Sequence, residues 1–456
     1  MAASNNNPAD VSTASHPVDL ATLRKVILAS ALGNFVEWFD FAVYGFLAVI
    51  IASHFFPPGD PALALLQTFA VFAVSFALRP LGGLFFGRLG DRIGRKRVLS
   101  MTVLLMAGST TAIGLLPTYH SVGLLAPLAL ALARCVQGFS AGGEYAGACA
   151  FVMEHAPRHR KARYGSFVPV STFLAFATAA ALAYIVTTLL SEQALNAWGW
   201  RVPFLIAAPL GMVGLYMRLR LDESPAFQAI AAQKEVPHAP LAETLRSHGS
   251  TILCLGAFIS ATALSFYMFT TYFATYMQVV GHAGQATALL ASLGALLFAA
   301  AFCPLVGRYS DRVGRRGTLI TAGVCLIGGV LPAYTLAGSG HWLLSMLGAM
   351  LMAVGAVICN VVTAVLLSEQ FPTRVRYTGS ALCYNIAYTI FGGTAPMVAT
   401  WLVNTSGFNL APAFYMIAIT LLAMWGGLKL PESSTKALDD DESSWHRPSS
   451  GRAMAG

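Results

Sequence analysis

Charge is what this sequence has least of. Only 11% of its 456 residues are Asp, Glu, Lys or Arg, 56% are hydrophobic, and the mean hydropathy is +0.65, whereas soluble domains carry about 25% charged residues. The deficit excludes water as the main solvent of the fold. Cysteine occurs seven times, at 135, 149, 254, 303, 325, 359 and 383, but never in a CxxC pair or at a Cys/His ligand spacing. The seven therefore read as small buried hydrophobes and not as disulfide or metal-binding groups. A nucleotide-binding loop and a nucleophile constellation are also missing, so no enzyme is expected and no cofactor or metal. Nor is there a selectivity-filter segment or a symmetric charge ring of the kind a channel needs.

What the chain has instead is apolar length. Twelve runs, at approximately 24–53, 62–86, 98–117, 122–150, 164–190, 202–220, 251–280, 285–306, 318–338, 341–368, 377–404 and 411–430, are separated by charged or Pro/Gly-rich breaks. A helix crosses the hydrocarbon core with roughly 20 apolar residues, so the pattern predicts an all-α integral membrane protein of twelve transmembrane helices. The first run is too long for a signal-peptide core, so residues 1–23 read as a polar N-terminal tail with nothing cleaved. Of 28 Lys and Arg, Arg79 and Arg134 lie well inside spans and Arg201 in an opposite loop; the other 28 − 3 = 25 fall in the tails, in the even-to-odd loops or at the span ends that border them. Short basic loops stay cytoplasmic. Both termini are therefore expected inside, with the lipid bilayer as a partner. The formal charge of +8 is then a topology signal, and no nucleic-acid partner is expected.

One phrase is written twice. Gly87-Arg88-Leu89-Gly90-Asp91-Arg92-Ile93-Gly94-Arg95-Lys96 returns as Gly307-Arg308-Tyr309-Ser310-Asp311-Arg312-Val313-Gly314-Arg315-Arg316, with the aspartates 311 − 91 = 220 residues apart. Glu154-x-x-Pro157 is echoed by Glu369-x-x-Pro372 after 369 − 154 = 215 residues. A repeat of this length is a half-molecule of membrane helices, as in a pseudo-symmetric transporter. The predicted organisation is a first six-helix bundle over 24–220, a cytoplasmic linker over 221–250, a second bundle over 251–430, and a solvated, disordered tail over 431–456 with an acidic run at Asp439, Asp440, Asp441 and Glu442. The 26-residue tail and 30-residue linker hold no soluble signalling domain, which argues against a membrane sensor on a transporter scaffold.

In the duplicated turns the glycines permit a tight reversal and close helix approach. Positive-inside topology alone accounts for the Arg clusters. It does not account for an Asp at the same place in both copies, which a helix N-terminus in the other half would stabilise by about 0.3–1 kcal/mol when exposed and about 2 when partly buried. Such a contact is a latch that holds one arrangement and breaks in another.

Ionisable residues inside the spans belong to the first half: Glu37 and Asp40 in span one, Arg79 in span two, Arg134 and Glu144 in span four. A charge at the bilayer centre costs at least about 2.5–3.5 kcal/mol, so these groups should face the bundle interior and pair, or face a water-filled cavity. Glu37 and Asp40 share a helical face, where two carboxylates disfavour simultaneous ionisation. That suits a proton carrier. Two Arg against three carboxylates leave the set one proton short of neutral, which favours proton coupling; a permanently neutralised structural network is the alternative. The second half supplies uncharged groups: Ser265, Tyr267, Tyr272 and Tyr276 in span seven, and Tyr384, Asn385, Tyr388 and Thr389 in span eleven. An aromatic wall suits a quaternary ammonium, although such tyrosines also serve as packing or interface-belt residues.

At these residues a family becomes recognisable. Gly-x-x-x-Asp-Arg-x-Gly-Arg-Lys/Arg resembles the loop motif of the major facilitator superfamily, and Arg134-x-x-Gln137-Gly138 resembles its fourth-helix motif. The stretches Gly33-Asn34-Phe35-Val36-Glu37-Trp38-Phe39-Asp40-Phe41, Arg79-Pro80-Leu81-Gly82-Gly83, Gln137 to Tyr145 and Trp198 to Phe204 are similar to the metabolite:proton symporters within it. The resemblance implies two pseudo-symmetric six-helix bundles, alternating access, and proton-driven uptake of a small organic solute, with Glu37, Asp40, Arg79, Arg134, Gln137, Glu144, Tyr384, Asn385 and Tyr388 around the cavity. It implies gates at Gly87, Asp91, Arg92, Gly94 and Arg95 and at Gly307, Asp311, Arg312, Gly314 and Arg315. Asp91 would meet span eleven near Tyr377, Asp311 would meet span five near Tyr164, Arg134 would link protonation to the latch, and a monomer would suffice. Gly142-Gly143-Glu144-Tyr145 and Asp222 to Phe227 look closest to proline/betaine carriers, the best expectation for the solute, whereas Phe391-Gly392-Gly393-Thr394 resembles dicarboxylate and citrate carriers. Span five, Gly165 to Ser171, has neither the early Gln of many acid carriers nor the Asp of osmolyte carriers. An organic acid such as 2-oxoglutarate, citrate or shikimate is therefore the alternative.

Overall fold

The structure, a computed structural model, describes residues 20–93, 95–142, 144–220, 241–371 and 376–434. Gly94, the linker positions 221–240 and the tails 1–19 and 435–456 lie outside the described residues, as do the side chains of Asp91, Arg92, Arg95, Glu144 and Tyr377.

All twelve apolar runs are helical, because a backbone in hydrocarbon can satisfy its N–H and C=O groups only within the segment. α1 comprises Leu20–Phe46 and Ala48–Phe55, α2 Pro61–Ala77 and Arg79–Ile93, α3 Arg95–Leu115. α4 comprises Leu125–Ser140 and Glu144–His155, α5 Lys161–Gly165 and Phe167–Leu189, α6 Val202–Leu205 and Ala207–Arg220. α7 runs from Leu241–Tyr267 through a π-helical turn, Met268–Tyr272, into Phe273–Val279. α8 and α9 share the continuous stretch Gln285–Ala337, broken at Gly314. α10 is Trp342–Glu369, α11 is Arg376–Ala387, the π-helical Tyr388–Gly393 and Ala395–Ser406, and α12 is Ala411–Leu428.

Local chemistry sets the ends. Asp60 accepts from the Ala62 N–H at 2.9 Å with Pro61 in the first turn, an N-cap that starts α2. Gly407 at φ +66° closes α11. At Gly314 the backbone turns through φ +86°, ψ +172°, a region almost closed to side-chain-bearing residues; this one residue separates two helices that would otherwise read as one. Arg201, the lone cation among the opposite loops, donates Nη1 to the carbonyls of Gly114 and Leu116 at 2.8 and 2.7 Å. It caps the C-terminal end of α3.

The first six helices and the last six each pack among themselves, as two sets in broad contact with one another. In the first set α1 packs on α4, α5 and α6, and α3 on α4 and α6; in the second α7 packs on α10, α11 and α12, and α9 on α12. The sets meet through α5 against α8, α4 against α10, α2 against α11, and α1 against the π-turn of α7. Two boundaries differ from the sequence expectation. Residues 241–247, expected in the linker, are helical and run into α7 across a break at His248, because no proline follows Pro240 to stop them. Residues 431–434, expected in the solvated tail, are docked, with Ser433 fully buried.

Candidate functional site

Span one brings its polar residues to the centre of the molecule. Glu37, Asp40, Arg79 and Arg134 are all buried, at 3%, 1%, 1% and 0% exposure. Arg79 Nη2 donates to Glu37 Oε1 at 3.2 Å, and its guanidinium lies 5.8, 5.2 and 5.0 Å from the rings of Trp38, Phe41 and Phe76. Arg79 Nε and Nη1 have no hydrogen-bond partner among the described residues. Arg134 is held differently: it donates Nη1 to Gln137 Oε1 and Nη2 to Ser75 Oγ at 3.3 Å, and stands over Tyr44, Phe72 and Phe41 at 4.3, 5.0 and 5.2 Å. Gln137 in turn donates to Thr110 Oγ1 at 2.7 Å. Asp40 sits beside Thr110 and within electrostatic reach of Arg134 and Glu37; the Thr110 hydroxyl gives its proton to the Met106 carbonyl at 3.0 Å, and neither carboxyl oxygen of Asp40 has a hydrogen-bond partner among the described residues. The two span-one carboxylates, one turn apart, therefore differ: Glu37 is engaged by Arg79 and Asp40 is not hydrogen-bonded.

The predicted second-half residues also reach this centre. Tyr384 and Tyr388 stack with centroids 4.0 Å apart, and Tyr145 of α4 stacks on Tyr384 at 4.8 Å. Asn385 donates Nδ2 to the Gly142 carbonyl at 2.7 Å, tying α11 to α4, and Thr389 donates to the Phe76 carbonyl at 2.9 Å, tying α11 to α2. Gly142 and Gly393 serve close packing, against the backbone of Arg79 and Gly83 and against the Phe76 ring. Tyr272 and Tyr276 belong to a separate ring cluster with Phe273 and Tyr334.

Sequence reasoning left out the hub of this centre. Trp38 lies within 6.4 Å of Phe41, Tyr145, Phe176, Phe266, Tyr267 and Tyr388, rings from five helices in both sets. The hydroxyls of Tyr267 and Tyr384 are buried without a partner among the described residues. A signal existed, since Trp38 lies between Glu37 and Asp40, where an indole can serve neither lipid interface. The π-turns that follow Tyr267 and begin at Tyr388 had no sequence signature; π-bulges gather at functional positions.

At the face carrying the repeated motif, the second copy forms a ring of polar contacts between the sets. Asp311 accepts from the backbone N–H groups of Ala162 and Arg163, at 3.0 and 2.9 Å, at the N-terminus of α5. Gly307 makes the approach possible: a Cβ there would stand 2.6 Å from the Ala162 carbonyl oxygen and 2.9 Å from Arg163 Cα. Arg315 binds Glu369 through Nε at 3.0 Å and Nη2 at 2.9 Å, and reaches Asp311 at 3.2 Å, while Lys161 of α5 approaches Glu369 at 3.7 Å. Arg312 is exposed. Glu369, which sequence reasoning used only as an echo of Glu154, is thus the common acceptor of the ring. Glu432, just beyond α12, accepts from the Arg315 and Arg316 N–H groups at 2.9 Å each, and Ser433 donates to Glu369 at 2.8 Å. Burial pushes the Glu432 carboxyl up, but the N–H groups of Arg316, Arg315 and Ser434 outweigh it and hold it below the usual carboxylate range. Gly87, Asp91, Arg92 and Arg95 lie at the junction of α2 and α3.

Among the described residues no group of three or more His, Cys, Asp or Glu is placed to hold a metal ion. The arrangement gives buried ion pairs and an aromatic centre between two helical sets, with an interlock on one face. Known proteins resemble the chain as a whole. A glycine betaine/proline/ectoine/pipecolic acid transporter of Dickeya dadantii is 38% identical over 434 residues, covering 92% of this chain and 86% of that one. A proline/betaine transporter of Salmonella typhimurium is 37% identical with the same coverage, and an ectoine/proline transporter of Corynebacterium glutamicum 36% identical, with 91% and 85% covered. Among solved structures, the xylose transporter XylE from E. coli in a partially occluded inward-open conformation superposes with a TM-score of 0.71 at 18% identity, covering 91% of this chain and all of that one. The family model described as Major Facilitator Superfamily matches residues 30–396, and with these relatives it establishes that the chain belongs to the major facilitator superfamily.

Proposed function

We propose that this chain is a proton-coupled symporter that takes up a small zwitterionic solute of the proline or betaine kind by alternating access. In this reading it works as a monomer in a bacterial inner membrane, with both termini in the cytoplasm. The solute chemistry rests on one observation: Arg79 Nε and Nη1 and the hydroxyls of Tyr267 and Tyr384, all buried without partners among the described residues, meet around the rings of Trp38 and Tyr388. A buried polar group left unpaired costs about 1–3 kcal/mol, so an arriving carboxylate satisfies several such donors together. A quaternary ammonium has no N–H to donate and is held by ring faces. A zwitterion supplies both ends, and the relatives carry the names of such solutes.

Asp40 is the proton carrier in this reading. Glu37 is engaged by Arg79, whereas a proton on Asp40 removes a buried charge that no hydrogen bond compensates. Arg134, anchored by Gln137 and Ser75, supplies a fixed positive charge beside it. The two six-helix halves, the second entered through the helix that begins at Leu241, rock about this centre. Asp311 and its amide contacts are the latch of the cytoplasmic face, with Asp91 as its counterpart.

Uptake of labelled betaine, proline, 2-oxoglutarate and citrate into proteoliposomes, with and without an imposed pH gradient, tests the reading. Gradient-driven accumulation of betaine or proline is expected. Accumulation of the acids alone would replace the zwitterion by an organic anion, which Arg79 could also bind, and flux indifferent to the gradient would reject symport. Solute binding without any flux would favour a sensor.

A further inference from the structure

We infer that Asn34 is a positioning residue that sets the plane of Trp38, and that the Ser171/Thr172 pair of span five sets Asn34; the inference rests on the solute site proposed above. Trp38 Nε1 donates to Asn34 Oδ1 at 2.9 Å, one helical turn away. An indole N–H can only donate, which fixes the amide: Oδ1 faces Trp38 and Nδ2 faces span five. There Nδ2 donates to Thr172 Oγ1 at 2.7 Å, Ser171 Oγ at 2.9 Å and the Val168 carbonyl at 3.3 Å. Ser171 spends its own proton on the Val168 carbonyl at 2.8 Å, and Thr172 points its proton to the same oxygen at 3.4 Å, so both hydroxyls are left as acceptors. Every polar atom of the relay is used, and Asn34, Ser171 and Thr172 are buried at 1%, 5% and 3% exposure.

The relay ends at the ring that organises the centre. Trp38 touches Phe266 at 5.1 Å and Tyr267 at 6.3 Å in α7, Tyr388 at 6.4 Å in α11, and lies 5.8 Å from the Arg79 guanidinium. A ring face binds a cation only when turned toward it. Rotation of the indole about χ2 would therefore remove one wall of the solute site without removing any atom from it. Span five, which resembles neither acid nor osmolyte carriers at its start, acquires a role: its two hydroxyls hold the amide that holds the ring.

The test is betaine uptake by the full chain in proteoliposomes, for wild type, Asn34→Ala, Trp38→Phe, the double variant, and Ser171→Ala/Thr172→Val. It is paired with fluorine NMR of 5-fluorotryptophan-labelled protein, in which Trp38→Phe identifies the Trp38 resonance. Asn34→Ala and Trp38→Phe are each expected to raise KM about tenfold, with kcat reduced much less, the loss of one desolvated cation–π contact. The double variant should match the larger single change, because both act through one ring. Asn34→Ala should also shift the Trp38 resonance in the absence of solute. Multiplied KM effects in the double variant, or an unmoved Trp38 resonance, would overturn the inference. If Asn34→Ala does not assemble, the Ser171/Thr172 variant, which leaves the amide in place, must show the same resonance shift and a smaller rise in KM. Wild-type protein that takes up no zwitterion would refute the solute site, while the resonance shift still decides whether Asn34 holds Trp38.

Discussion

Glu37 and Asp40 are one turn apart on the same helix, yet the structure gives them different neighbours: the Arg79 guanidinium for the first, and Thr110 and Arg134 without a hydrogen bond for the second. If Asp40 carries the proton, Asp40→Asn fixes the neutral form. Gradient-driven accumulation should then vanish, while exchange of labelled for unlabelled solute across a membrane without a gradient persists, because exchange needs no net proton transfer. Glu37→Gln should keep the response to the gradient and change KM, since it alters the partner of Arg79 instead. Full accumulation by Asp40→Asn would remove Asp40 from the proton path. Much of this was legible in sequence, because an ionisable residue in an apolar run is conspicuous. What was not legible is which carboxylate Arg79 would take, since a three-residue spacing specifies a face and leaves side-chain direction to the packing of α2 and α4.

At the scale of elements, the turn between α8 and α9 joins three distant segments. Gly314 breaks the helix, the amides of Arg315 and Arg316 open the next one, and Glu432 from beyond α12 caps them. Donors at a helix N-terminus stabilise an anion, and the Glu432 carboxyl is held below its usual range by them despite the burial that opposes it. The sign follows. A carboxylate more acidic in the folded than in the unfolded state, where Glu titrates at about 4.3, contributes stability that is complete above that value and is lost as pH falls through the folded value. Thermal unfolding in detergent micelles should therefore show Glu432→Gln less stable than wild type at pH 7, with the gap closing as the pH drops below 4. A gap independent of pH would mean that the side chain's packing and not its charge matters. The repeated motif announced this turn, but nothing in Pro431-Glu432-Ser433-Ser434 announced its partner: a short polar stretch after the last apolar run reads as solvated until the amides it covers are known.

For the whole molecule, the two halves are alike in helix order and unlike in chemistry. The charge buried at the centre comes from α1, α2 and α4, aromatic and hydroxyl groups come from α7 and α11, and a second set of buried charges, Lys161, Arg315 and Glu369, belongs to the described motif-face interlock that joins α5 to α8 and α10. Periodicity and duplication reveal the helix order because each span must bury its own backbone. The duplicated Asp predicts a contact with a helix N-terminus of the other half, but nothing in either pattern predicts the Lys161–Glu369 pair, because those residues are separated by the linker and by most of the second half. Opening this face must part Asp311 from the amides of Ala162 and Arg163 and Lys161 from Glu369. Hydrogen bonds to a charged group contribute about 1.5–3 kcal/mol each, so losing the two at Asp311 shifts an open–closed equilibrium by roughly a hundred- to ten-thousandfold. Asp311→Asn keeps the shape and one acceptor oxygen while removing the charge, so it should fall at the lower end of that range. Pulsed electron paramagnetic resonance between spin labels at positions 160 and 308, both exposed and flanking the contact, would read the shift as a gain in the longer-distance population. Gly307→Leu, which drives a side chain into the Ala162 carbonyl, should give the same gain by a steric route. An unchanged distance distribution in both variants would mean that the face is held elsewhere, and the Lys161–Glu369 pair would be the next bond to break.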